Sequence, residues 1–491
     1  MSAARPVVCA DFGSTFTKLT AVSLDSGELL GTAAHPTTIG TDVMDGFAAA
    51  LADLSDRLPA AADAQVLACS SAGGGLRLAV VGYERAVTAE AGYRVGLSAG
   101  ARVVHVAAGQ LGEAETAELV AIRPDVVLLA GGTDGGNADV LLANAAALAA
   151  AELQCPIVVA GNIDVREDVC LTLSSSGKSA IPTANVLPRI GVLDSGPARS
   201  AIRKVFITHV IGGKGLSSSA DFPHLVKAAT PDAVLAGVEL LADGFSVEVP
   251  GVGEVVVVDV GGATTDVYSV VTPDAEESQL HREVVEETWR GRTVEGDLGV
   301  RWSAPGVVEA ATRERLLPRP TDAEDLGRAA AARASNPSYI PATAADGDID
   351  ARLAALAATV ALRRHARPHV VPLRADARDG VRRGGKDLRQ VKLAVGSGGV
   401  LRYATPATAE SIMKRAITDP EGGWRTPEAA TVVIDRDYVL AAAGLLSFTH
   451  PEVAARLLRH LPTPPAVRMK GTFTRRFYGL SSGWGCLHEP E

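Results

Sequence analysis

Residues 11–18 read DFGSTFTK and residues 259–266 read DVGGATTD. Each follows a short apolar run, PVVCA before Asp11 and VVVV before Asp259, whose composition predicts a buried strand ending at a carboxylate. Each leads into an alternating segment, KLTAVSL at 18–24 and VYSVVT up to residue 272, so a second strand returns after a turn rich in glycine and hydroxyls. One such hairpin reads as an ordinary tight turn as readily as a site. Two of them, about half the chain apart, predict two lobes of related architecture.

Outward from these hairpins the pattern is α/β. GELLGTAAHP (27–36) adds a third strand to the first hairpin, and residues 42–57 predict a helix. Strand-like runs at 65–71, 101–107, 124–132 and 155–161 then alternate with Ala/Leu-rich helical stretches, notably 138–152, which implies a sheet covered on both faces. Residues 230–244 read as a helix with Thr230 as N-cap and Pro231 at its first position. After the second hairpin come several helices within 305–368, a strand VKLAVG (391–396) running into GSGG, and a small-residue helix YVLAAAGLL (438–446). The expected organisation is a first lobe over 1–250 carrying inserted α/β units, a second lobe over 251–447, and a C-terminal tail over 448–491. That tail holds a basic-aromatic stretch at 468–479 and is expected either to pack back on a lobe or to move.

Composition narrows the function. The 491 residues are 47% hydrophobic, ample for buried cores, and only 4% aromatic, which argues against stacking platforms for single-stranded nucleic acid. A net charge of −10 makes a poor phosphate-backbone binder, so no nucleic-acid partner is expected. Cys9, Cys69, Cys155, Cys170 and Cys486 form no CxxC pair, which points to reduced thiols. No apolar run reaches the roughly 18 residues of a membrane helix, and Asp11 interrupts the N-terminal apolar run, so a cytoplasmic setting without membrane contact is expected.

The two hairpins carry the chemistry. Turns dense in Gly, Ser and Thr bring backbone N–H groups close to an anion, and Gly13, Ser14, Thr15 and Thr17 together with Lys18 suit a phosphate. Gly261, Gly262, Thr264 and Thr265 repeat that arrangement. On facing lobes the pair would clamp β- and γ-phosphates, with Mg²⁺ between Asp11 and Asp259, because hydrated Mg²⁺ needs few protein carboxylates. Gly396, Ser397, Gly398 and Gly399, after the strand VKLAV, would lie flat against a ribose or purine.

In this order the three motifs resemble the phosphate-1, phosphate-2 and adenosine motifs of the actin/sugar-kinase/heat-shock-chaperone ATPase superfamily. The resemblance implies two actin-like (ribonuclease H-like) lobes with a nucleotide cleft between them. It also implies ATP and Mg²⁺ as cofactors, and metal-organising roles for Asp11 and Asp259. AVLAGVELL and YVLAAAGLL look like that superfamily's two hinge-connecting helices, and Asp266 like a residue supporting its turn. DFGSTFTK, LLAGGTDGGN, VVDVGGATTDVYSV, RTVEGDLGVR, AVGSGGVLR and YVLAAAGLL together resemble the glutamate mutase accessory protein family called MutL or GlmL, unrelated to the mismatch-repair protein of similar name. What that resemblance implies is a slowly ATP-hydrolysing, chaperone- or reactivase-like partner of an adenosylcobalamin-dependent mutase or aminomutase, with a homodimer among the possibilities.

Three further segments stay open on the residues alone. Asp134, among the glycines of GGTDGGN (131–137), suits a catalytic water-positioning loop or a plain strand-to-helix turn. Glu295 and Asp297 of RTVEGDLG suit metal waters or a helix cap near Val300. The basic run from Arg363 to Lys392 suits a solvated face, with Arg363 or Arg364 beside an adenine as the other reading. The alternatives to the accessory role are a small-molecule kinase on the same fold, with Asp134 as its base, and a scaffold that binds ATP without cleaving it.

Overall fold

The computed structural model describes residues 5–463 apart from 73–75, 85–87, 212–214, 247, 272–289, 318, 367–368, 373–379, 384–385, 419–423 and 428; Cys486 and the basic-aromatic stretch at 468–479 lie outside the described residues. Strands β1 (Pro6–Phe12), β2 (Phe16–Ser23), β3 (Leu29–Pro36) and β4 (Gln65–Ser70) precede an insertion with strands β5 (Arg77–Gly82), β6 (Arg102–Ala108), β7 (Val126–Leu129), β8 (Ile157–Val159) and β9 (Ala180–Pro182). Strand β10 (Val226–Ala229) then returns to the first sheet, whose order is β10-β4-β1-β2-β3. The second half contributes β11 (Val255–Val260), β12 (Thr265–Val270), β13 (Arg290–Glu295), a separate β14 (His369–Pro372) and β15 (Gly380–Arg383) ribbon, β16 (Leu393–Ser397) and β17 (Thr431–Ile434). Its sheet runs β17-β16-β11-β12-β13.

These two sheets have one topology. In each, three strands form an antiparallel meander, and two further strands add in parallel beside the first. This is the ribonuclease H-like lobe of actin-like proteins, built twice, as the paired hairpins predict. Strand β1 is buried on both faces. Val8, Ala10 and Phe12 enter a core shared with helix α1 (Val43–Arg57), while Val7 and Cys9 enter a different core. That is why the run is apolar without alternation. Strand β11 behaves likewise: Val256, Val258 and Val260 face the second lobe's own core, and Val255 and Val257 join Val7 and Cys9.

The insertion is a separate parallel sheet, order β6-β5-β7-β8-β9. Its helices are α2 (Glu90–Ser98), α3 (Glu113–Ile122), α4 (Asp139–Ala150), α5 (Arg166–Ser175) and α6 (Gly196–Val205), followed by the short α7 (Phe222–Leu225). Strands β5 and β13 are absent from the sequence expectation; β13 carries Arg290, Arg292 and Glu295, whose charges hide its strand character.

Helix α8 (Thr230–Asp243) follows β10, and the second lobe supplies α9 (Ala304–Arg313), α10 (Pro320–Ser335), α11 (Ala344–Ala366), α12 (Gly399–Tyr403), α13 (Pro406–Thr418) and α14 (Val439–Ser447). Helices α8 and α14 pack directly on one another within the core that contains Val7 and Val255. They cross on glycine: a β-carbon on Gly237 would overlap the carbonyl of Leu440, and one on Gly444 would overlap that of Ala233. These are the helices that the resemblance reads as hinge connections. The segment after them does not leave the body, since α15 (Pro451–Leu457) sends Val453, Ala454 and Leu457 into the same core.

Candidate functional site

Between the two sheets lies a cavity of about 1440 Å³, lined by Asp11, Gly13–Thr15, Asp259, Gly261–Thr264 and Ser397–Gly399 among others. Strand register decides which motif residues reach it. Asp11 pairs with Lys18 across β1 and β2, so both side chains stand on the face of Val7 and Cys9, towards the second lobe. Lys18 Nζ donates to Asp11 Oδ2 at 3.0 Å, and Thr230 Oγ1 donates to Asp11 Oδ1 at 2.6 Å. Thr230 therefore does not cap α8, whose N-cap position is Ala229; its hydroxyl fixes the phosphate-1 carboxylate instead. Burial alone would lower the pKa of the Lys18 ammonium, but Asp11, Tyr438 and Asp259 more than offset it and the net direction is upward, so Lys18 stays charged.

In the second hairpin Asp259 pairs with Asp266, again on the face towards the first lobe. Burial raises the Asp259 carboxyl from 3.8 to about 6, against the opposing pull of Lys18 and a hydrogen bond from Ser397. Asp266 supports its turn as expected: Oδ2 accepts from Thr264 Oγ1 at 3.1 Å, and Oδ1 accepts from Arg292 Nε at 2.9 Å. Backbone N–H groups of Val300 and Arg301 hold the carbonyls of Gly261 and Gly262 at 3.0 and 2.8 Å, so the turn is braced from behind.

The tips of the two hairpins meet. A β-carbon on Gly262 would lie 3.0 Å from Thr15 Cγ2. At the third motif Gly398 has φ +107° and presses on Val260, where a side chain would overlap the Val260 carbonyl. Beyond it Arg402 stacks on Tyr438 at 4.7 Å from the ring centroid, and Lys18 sits 4.3 Å from the same ring. Tyr438 thus joins the first motif to the third. Neither Arg402 nor Tyr438 belongs to the motifs, and only the fold brings them in.

Four predicted site residues are elsewhere. Thr17 is opposite Phe12, on the face away from the cleft, and its hydroxyl pairs with that of Thr37 at 3.1 Å. Thr265 is likewise turned inward and donates to the Leu298 carbonyl at 2.6 Å. Gly396 lies inside β16 against Met413 and Ile434. Asp134 sits in an exposed turn of the insertion, where Oδ1 accepts from Ile163 N at 3.1 Å and Asn185 Nδ2 at 2.8 Å; the turn reading holds, and the residue is not part of the cleft. Glu295 and Asp297 are held by Arg364, each at 2.7 Å, and neither caps α9, whose N-cap is Ser303. Arg363 is buried against Glu314 and the Trp424 ring.

Sequence reasoning also misses the insertion's share of the cleft. Tyr93 and Leu97 of α2 and Arg102 of β6 line its inner end, where α2 packs on β13. Among the described residues no group of three or more His, Cys, Asp or Glu could hold a metal by itself. Both Asp11 oxygens already accept hydrogen bonds, which leaves Asp259 as the better placed carboxylate. An ion here would keep mostly water and phosphate ligands, which fits Mg²⁺. Among the described residues no helix is long and apolar enough to cross a membrane.

A family model described as MutL protein matches residues 7–461. Protein MutL of Clostridium tetanomorphum is 37% identical over 458 residues, spanning 91% of this chain and 97% of that protein. Two solved structures share the fold at low identity. A nucleotide-free acetone carboxylase is 15% identical, covering 91% of this chain and 70% of its own, with a TM-score of 0.38. An activator of 2-hydroxyisocaproyl-CoA dehydratase from Clostridium difficile, with bound ADPNP, is 10% identical, covering 91% and 95%, with a TM-score of 0.29.

Proposed function

The chain belongs to the MutL protein family, and on that premise we propose that it is a cytoplasmic, ATP-binding accessory protein. In this reading it hydrolyses ATP slowly and acts as a chaperone or reactivase for an adenosylcobalamin-dependent mutase or aminomutase. The observation that supports it most is the meeting of Thr15 and Gly262 at one cleft with Asp11, Lys18 and Asp259. Backbone N–H groups of Gly13–Thr15 and Gly261–Thr264 would bind the β- and γ-phosphates from two sides. Lys18, held protonated, would balance their charge. Ser397 to Gly399 would face the ribose and adenine.

Asp259 would hold a hydrated Mg²⁺ through water, with Asp11 behind Lys18 as the second carboxylate. Bound Mg²⁺ would neutralise charge that develops on the phosphate oxygens. Gain of that charge would also let Asp259 ionise fully, since its burial otherwise favours the protonated form.

Crossing on bare backbone at Gly237 and Gly444, α8 and α14 would let the lobes rotate between open and closed states. A partner enzyme that binds one state better would then be coupled to the nucleotide cycle. The kinase alternative loses its proposed base, because Asp134 is outside the cleft.

Isothermal titration with ATP–Mg²⁺ on the wild type and Asp259→Ala tests the site, and equal affinities would remove Asp259 from it. Phosphate release with and without the mutase tests the role. Turnover that rises with the mutase supports the accessory function, transfer of phosphate to a metabolite supports a kinase, and binding without any release supports a scaffold.

A further inference from the structure

We infer that the inner end of the cleft, where β13 faces the insertion, is a second oxyanion site held by Arg292 and Arg102. Arg292 is only 5% exposed, yet it lines the cavity. Its Nε and Nη2 are fixed on Asp266 Oδ1 at 2.9 and 2.6 Å. Its Nη1 is buried and has no hydrogen-bond partner among the described residues. A buried guanidinium N–H left unmatched is costly, about 1–3 kcal/mol or more. The neighbouring Tyr268, whose ring centroid is 5.9 Å away, brings no charge to balance it. Asp266 is in turn tied to Thr264, so the guanidinium is held in place before any ligand arrives.

Arg102 provides the second half. It opens β6 and is exposed towards the cleft, with its guanidinium carbon 3.9 Å from where a β-carbon on Gly296 would stand. Residues 292 and 296 share a strand face because side chains alternate, and they are about 13 Å apart along the chain. Arg102 therefore stands on the same wall as Arg292. Lys18, Arg301 and Arg364 in this cavity are each paired with a carboxylate, on Asp11, Asp350 and Asp297. Among the described residues the Arg102 guanidinium has none.

A planar fork with an unmatched N–H and a second unpaired guanidinium suit the oxygens of a phosphate or carboxylate. There is room for one beside a nucleotide. The cavity's 1440 Å³ exceeds the roughly 300–1000 Å³ that holds a single small ligand. The oxyanion has two sources, the terminal phosphate of a nucleotide in the cleft or a separate small acid. The second source rests on the nucleotide reading proposed above.

The test titrates inorganic phosphate calorimetrically into the full chain, once free of nucleotide and once saturated with ADP–Mg²⁺. ATP and ADP are titrated in parallel. Arg102→Ala and Arg292→Lys are compared with the wild type, and circular dichroism checks folding. Arg102→Ala breaks no bond seen in the structure and carries the test if Arg292→Lys unfolds. Phosphate binding weakened about fivefold or more by either variant supports a separate acid. Loss of ATP affinity by a similar factor with ADP affinity kept supports the terminal phosphate. Phosphate affinity and ATP-over-ADP preference both unmoved would overturn the inference. Should ADP fail to bind at all, the nucleotide reading falls, while the nucleotide-free phosphate titration still decides this site.

Discussion

Thr15 and Gly262, 247 positions apart in the chain, are in side-chain to backbone contact: a β-carbon on Gly262 would stand 3.0 Å from Thr15 Cγ2. Every other contact between the two phosphate-type hairpins depends on that approach. Gly262→Ala should push the tips apart and weaken ATP–Mg²⁺ binding about tenfold, near 1.4 kcal/mol. Thr15→Ser removes the offending methyl, so the double variant should recover most of the loss. Titration of the four proteins closes the cycle, and simple additivity would show that the two residues do not meet.

The α8–α14 crossing should be intolerant of one carbon. Gly444→Ala places a methyl group on the Ala233 carbonyl and should cost about 1–3 kcal/mol or more, read as a fall in Tm. Gly347→Ala is the contrast, because Gly347 lies within α11 with nothing inside 4 Å of its would-be β-carbon. That change should raise stability by up to about 1 kcal/mol. Equal Tm shifts for both would contradict the crossing.

Asp259 should make stability depend on pH. Its folded pKa of about 6 lies above the ordinary 3.8, so the folded state holds the extra proton between those values. The stability that this proton contributes is complete below about pH 4 and is lost as pH rises through about 6. Urea unfolding should therefore find Asp259→Asn more stable than wild type by about 1–3 kcal/mol above pH 6, the gap closing towards pH 4. The same variant should bind ATP–Mg²⁺ more weakly. An Asn variant no more stable than wild type at pH 8 would mean that Asp259 is not held in a poorly solvated place.

Asp350 accepts from Arg301 at 2.6 Å and Arg333 at 2.5 Å, all three largely buried. Asp350→Ala strands two guanidinium groups and should cost about 3–5 kcal/mol. Because Arg301 also braces the Gly262 carbonyl through its N–H, ATP–Mg²⁺ affinity should fall with stability. Intact affinity in the destabilised variant would separate the brace from the site.

Asp134→Ala should leave ATP–Mg²⁺ affinity and phosphate release at wild-type levels. Its carboxylate holds only Ile163 N and Asn185 within the insertion, a loss of about 1–2 kcal/mol in that loop. A collapse of turnover with normal folding would return Asp134 to the catalytic list.

Much of the fold is legible without coordinates. The apolar runs ending at Asp11 and Asp259 mark the central strand of each lobe, and the glycines of AVLAGVELL and YVLAAAGLL mark the helix pair that crosses. Those are local signals, fixed by chain sterics and by burial on both faces. The motifs were less reliable residue by residue. Thr17 and Thr265 belong to the right turns but sit one position out of phase with Lys18 and Asp266, and a pleated strand turns such neighbours to opposite faces.

Sequence by itself determined the two hairpins, the repeated lobe and the class of ligand that glycine turns accept, because backbone conformation and strand burial are settled over a few residues. Only the tertiary structure decided which side chains share the cleft. Thr230 on Asp11, Tyr438 between Lys18 and Arg402, and Arg102 against Gly296 all join residues far apart in the chain. No local pattern encodes such meetings, since they follow from how two sheets and an insertion pack their faces together.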